Sequence, residues 1–115
     1  MEIIRRSEGI TAGEMYKMTK GSEVRKLSDA KGETLNILYY VLYKDTNTDT
    51  GEISTVLAIR ADNGGYYATN SKTFIRNFND IQAMFEDAGE PAPTSYKVNC
   101  ARSKNGREYL VCDLA

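Results

Sequence analysis

The stretch Leu35-Asn36-Ile37-Leu38-Tyr39-Tyr40-Val41-Leu42-Tyr43-Lys44 decides the reading of the fold. It is dense in β-formers, contains no glycine or proline, and places apolar residues on both faces of a two-residue alternation. That pattern predicts one long strand buried on both sides. Such a strand suits a closed barrel, in which it bends and serves two parts of the wall. Moving toward the C-terminus, Asp45-Thr46-Asn47-Thr48-Asp49-Thr50-Gly51 reads as a polar hairpin loop. Ile53 to Ala61 is the return strand, with Ile53, Leu57 and Ile59 on one face. Asp62-Asn63-Gly64-Gly65 forms a tight turn whose Asn-Gly step tolerates positive φ, and Tyr66 to Thr69 a short third strand.

The long helical pattern comes next. Ser71 is placed to cap it, and Phe74, Ile75, Phe78, Ile81, Met84, Phe85 and Ala88 recur at spacings of three and four. Gly89 stops the helix, and Pro91 and Pro93 prevent its resumption. Tyr96 to Arg102 and Glu108 to Leu114 are two strands around Ser103-Lys104-Asn105-Gly106, a strong hairpin signal. Before the long strand, Thr11-Ala12-Gly13-Glu14 has the form of a capping box that opens a short helix ended by Gly21. The expected fold is mainly β: a five-stranded OB-type Greek-key barrel with one helix between its third and fourth strands. A twisted open α+β sheet shares this element order, and the two-sided apolarity of the long strand favours the barrel. Residues 1–115 read as a single OB-fold domain, with residues 1–32 as an N-terminal extension carrying the short helix and residues 33–115 as the barrel.

Composition bounds the function. The 115 residues are 41% hydrophobic and 27% charged, ordinary for one globular domain that folds without disulfides or metal. The absence of histidine removes the common zinc ligand, the Ser-His and Cys-His nucleophile pairs and the usual base near neutral pH. No cofactor and no enzymatic activity are expected. Asp45, Asp49 and Glu52 lack calcium-loop spacing, and Asn63-Gly64-Gly65 leads into no helix that would cradle a phosphate. Cys100 and Cys112 sit among apolar neighbours and read as buried thiols. The N-terminus has no apolar leader and no run spans a bilayer, so the chain is expected in the cytoplasm without a membrane partner.

Formal net charge is −1, and the charges are uneven. Lysine and arginine outnumber acids in residues 1–27 and 95–115, and acids prevail between them. The last hairpin carries the best binding feature. Alternation puts Lys97, Arg107 and Tyr109 on its polar face, with Arg102 and Lys104 near the loop. A stacking surface flanked by cations is what unpaired nucleic acid requires. Tyr40 and Lys44 on the long strand, Arg60 at the end of the return strand, and Tyr66 and Tyr67 on the third strand complete the expected site.

Three segments carry a family resemblance. Arg25 to Leu35, Tyr66 to Phe74, and Tyr96 to Val98 with Ser103 to Tyr109 together resemble small single-stranded DNA-binding proteins of phages and mobile elements of Gram-positive bacteria. The resemblance implies an OB fold and sequence-tolerant binding of single-stranded DNA in phage-type replication or recombination. Replication or recombination proteins and further copies of the chain are the expected additional partners. The alternative is an OB-fold protein-interaction module, for example a phage inhibitor of a host defence protein, motivated by the acidic middle of the chain.

Overall fold

The computed structural model describes all residues, 1–115. Seven strands and two helices follow one another as β1 (Glu2–Arg6), α1 (Ala12–Thr19), β2 (Val24–Lys26), β3 (Thr34–Thr46), β4 (Ile53–Ala61), β5 (Tyr66–Thr69), α2 (Lys72–Asp87), β6 (Ser95–Arg102) and β7 (Glu108–Leu114). A 3₁₀ turn, Leu27–Ala30, links β2 to β3. The sheet order is β2-β5-β4-β3-β6-β7, with β1 added to β3, and the whole curls into a half-barrel. No helix is long and apolar enough to cross a membrane.

The long strand serves three neighbours, one of them β1 along Val41–Lys44. Thr34–Asn36 pairs with β6, whereas Ile37–Thr46 pairs with β4. Near the start of the second region the register slips at Leu38, a bulge that leaves this leucine exposed. A one-residue slip exchanges the faces of a strand. Before it, Leu35 and Ile37 point to the inner core; after it, Leu42 and Tyr40 do. Val41 and Tyr43 turn to the outer face. The two-sided apolarity of this segment therefore has two causes, a bulge and a second core.

The inner core gathers Leu35, Ile37, Leu42, Leu57, Ile59, Tyr67, Phe74, Phe78, Tyr96 and Val98 between the sheet, α2 and the β6–β7 hairpin. Helix α2 forms as its sequence dictates: Ser71 Oγ accepts from the Phe74 N–H, and Phe74, Ile75 and Phe78 make its buried stripe. At its end, the Glu90 N–H donates to Phe85 O and the Gly89 N–H to Glu86 O, with Gly89 at φ 71°. This is a Schellman closure. The outer core is smaller and lies under α1, where Met18 packs on Val41, Tyr43, Ala58 and Tyr66.

The closed five-stranded barrel is overturned. There are seven strands, and the long helix follows the fifth strand, not the third. The reason is local to the N-terminal third. β2 pairs in parallel with β5 and occupies the edge at which a barrel would close. β7 is left as the opposite edge of an open sheet. Residues 1–32 are not an appendage, since β1 pairs with β3 and β2 with β5.

Two glycines near α1 differ in what they permit. A Cβ on Gly21 would lie 2.4 Å from the Lys17 carbonyl oxygen, whereas one on Gly13 would meet nothing within 4 Å. Gly21→Ala is expected to destabilise by about 1–3 kcal/mol through a forced backbone shift. Gly13→Ala is expected to stabilise by about 0.5–1 kcal/mol through helix propensity. Urea denaturation of the pair checks the opposite signs.

Candidate nucleic-acid interface

The open seam creates the site. Because β7 does not reach β5, a cleft of about 740 Å³ remains between the β2–3₁₀ segment, the end of β5 and the start of β7. Leu27, Val56, Ala68, Cys100 and Leu110 supply apolar lining, and Lys26, Ser28, Asn70, Ser71 and Glu108 supply polar groups. Tyr109 lies on the lining and is 40% exposed, so its ring is available. A second groove of about 700 Å³ shares Asn70 with this cleft and continues between β4 and α2. Ser54, Thr55, Lys72, Arg76, Asn79 and Asp80 line it.

Ladder geometry aims the edge of β7 into the cleft. The Val98 N–H donates to Glu33 O, and Val98 O accepts from the Gly32 N–H. Val98 and its partner Cys112 are therefore a non-hydrogen-bonded pair, and the backbone groups of Cys112 point away from β6. Those of Leu110, two residues earlier, do the same. The Cys112 N–H finds Asn77 Oδ1 on α2 at 3.4 Å, but Leu110 lies where the cleft is open.

Charge surrounds this seam without being neutralised. The ion pairs in the molecule are Lys20–Asp45, Lys31–Glu108 and Arg60–Glu14. Lys26, Lys72, Arg76, Arg102, Lys104 and Arg107 are exposed and belong to none of them. At the hairpin end, Glu108 accepts from Lys31 Nζ at 3.0 Å. That hydrogen bond, with a second from Cys100, holds the Glu108 carboxyl below its ordinary range, and the same contact raises Lys31. Desolvation, then Glu108, pushes the Cys100 thiol up. Burial pushes Cys112 to about 12, so neither thiol is activated as a nucleophile.

The expected site residues separate into two groups. Tyr109, Arg102, Lys104 and Arg107 stay on one hairpin, but only Tyr109 lines the cleft, and Arg102 projects from the opposite face to Tyr109. Arg102 stands opposite Glu108, one rung from the Ala101–Tyr109 pair. Lys97 is exposed but lies four residues along β6, about 13 Å away, opposite Asp113.

The other group is drawn off. Tyr67 is 2% exposed and its hydroxyl accepts from Arg25 at 2.8 Å and Asn63 at 3.3 Å. Tyr66 is buried under α1, with the Arg60 guanidinium 4.3 Å from its ring centroid. Arg60 also meets Glu14 at 3.8 Å and donates to Gly64 O. Tyr40 is half-buried, its ring edge-on to Phe78 at 5.2 Å. Lys44 is exposed on β3, opposite Glu2 and Thr55. As folded, Tyr66 and Tyr67 offer no face to a base.

Sequence reasoning missed Lys26, Asn70, Lys72 and Arg76. Lys72 and Arg76 were available as an i, i+4 pair on the polar side of the Phe74–Phe78 stripe. Lys26 sits on a three-residue strand that leaves no periodicity to read.

No family model, curated protein or solved structure matches this chain. The likeness to phage single-stranded DNA-binding proteins thus stands on the three quoted segments alone.

Proposed function

We propose that the chain binds single-stranded DNA without sequence preference along the seam between β5 and β7, in the setting of phage-type replication or recombination. The supporting observation is the cleft with Tyr109 on its lining and six unpaired cations on the elements around it and its continuation. Bases stack on an exposed aromatic ring whatever their identity, and cations track the phosphates. A net charge of −1 is no obstacle, because counterion release depends on the phosphates neutralised locally.

Fluorescence titration with oligo-dT against salt tests the reading. Three to six phosphate contacts give a slope of log K against log salt between about −2 and −4. Binding to the single strand exceeds binding to the duplex of the same length. Absence of binding at micromolar protein and low salt, or equal affinity for duplex, overturns the reading.

A second reading follows from the free edge of β7. The backbone of Leu110 faces the cleft, where an extended peptide adds by strand pairing. A protein partner retained after nuclease treatment, together with failure of the oligo-dT titration, decides for it.

A further inference from the structure

A third cavity, of about 400 Å³, shares no residue with the cleft or its continuation. It lies between β1, the bulged part of β3, α2 and the connection into β6. Two buried donors stand beside it unsatisfied. Tyr96 is 2% exposed and its hydroxyl has no hydrogen-bond partner of normal geometry. The Nε of Arg5 is buried and also without a partner, while Nη2 donates to Asn79 Oδ1.

The charge of Arg5 is only partly met. Its guanidinium lies 5.7 Å from the centroid of the Tyr40 ring, and no carboxylate is within ion-pair distance. Arg6, exposed at the same cavity, has no ion pair either, and its one polar contact is Met15 Sδ at 3.9 Å. Glu8 is the only acid on the lining, and it is exposed. Gln82 also lines the cavity. Burial raises the Tyr96 phenol, while the Gln82 side chain, donating toward the phenol oxygen, and the Arg5 charge act against that rise. The hydroxyl hydrogen itself still has no acceptor. Arg5 as a whole is half-buried, but its Nε is shut off from solvent, and buried polar atoms are almost always paired.

We infer that this cavity binds a compact oxyanion, a phosphate or carboxylate group, with Arg5 as the charge partner and the Tyr96 hydroxyl and Gln82 amide as further donors. All three groups donate, so a ligand that only accepts completes them. The volume leaves room for a small apolar body on the anion, against Pro93 and Leu38.

The test titrates isotope-labelled protein with inorganic phosphate, benzoate and chloride at constant ionic strength, following the arginine Nε–H resonances by NMR. Phosphate or benzoate is expected to shift Arg5 saturably and chloride to leave it in place. Arg5→Lys, which keeps the charge but loses the planar fork and the Nε donor, is expected to weaken binding at least about tenfold. In this variant binding is followed by the backbone amides of residues 5–8, 92 and 94–96. Tyr96→Phe, which keeps the ring, is expected to weaken it severalfold. A terminally phosphorylated dithymidine that shifts Arg5, where its unphosphorylated form does not, assigns the anion to a strand end. A response confined to the free anions assigns it to a small molecule. Shifts that rise without saturation and equally over all arginines overturn the site, as does saturable binding unchanged in both variants.

Discussion

Phe78→Ala is expected to lower stability by about 3–5 kcal/mol, the range for truncating a fully buried aromatic side chain. Phe78 has no solvent exposure and sits where α2 meets β3 and β6. Its ring packs edge-on against Tyr40 at 5.2 Å and tilted against Tyr96 at 5.0 Å. The cavity left behind cannot collapse easily, because those two neighbours belong to different parts of the sheet. A domain of this kind is stable by only about 5–15 kcal/mol, so the variant is marginal and its Tm falls by about 10 °C or more. Met84→Ala, on the same helix but 69% exposed, is expected to change stability by less than about 0.5 kcal/mol. Urea and thermal melts followed by circular dichroism compare them. Equal melts for the two variants would remove Phe78 from the centre of the core.

The contrast between Phe78 and Met84 was only half legible in the sequence. The three-and-four spacing placed both on one stripe, but the stripe is wide: full burial ends at Phe78, and beyond it Ile81 and Phe85 are only half-buried while Met84 faces solvent. Where local chemistry closes on itself, the sequence is a good guide. Ser71 and Gly89 bound α2 through hydrogen bonds made within a few residues. The Asn105-Gly106 turn sets the β6–β7 hairpin in the same way, with Gly106 at φ 77°. Closure of the barrel is a different kind of question. It depends on which strand meets the free edge of β5, and the strand that does so is Val24–Lys26. Three residues carry no usable alternation.

The site shows the same division. Alternation along β7 was enough to expose Tyr109, because one face of that hairpin is free. It was not enough for Tyr66 and Tyr67. They point to opposite faces of β5, and one of the two should then have been accessible. Both are buried because α1 covers the outer face and the inner core covers the other. The Leu38 bulge is equally silent: it exchanges inward and outward residues midway along β3, and no residue type marks it.

Tyr109→Ala is the functional change with the largest expected effect. A single base–aromatic stack is worth about 1–3 kcal/mol, so affinity for oligo-dT should fall about tenfold, within a range from about fivefold to over a hundredfold. The ring is 40% exposed, so its loss leaves the core intact and the melt nearly unchanged. Tyr109→Phe keeps the face and retains most of the affinity. Lys104→Ala with Arg107→Ala acts differently. It removes two cations that no acid neutralises, so affinity falls for every sequence and the salt slope becomes shallower by about 1.4. Tyr16→Ala is the matched control, since Tyr16 is 65% exposed on α1 and lines neither the cleft nor its continuation. If Tyr16→Ala weakens oligo-dT binding as much as Tyr109→Ala does, binding does not run along the seam. If the hairpin variant leaves the salt slope untouched, the phosphates are held elsewhere, with Lys26, Lys72 and Arg76 the next cations to remove.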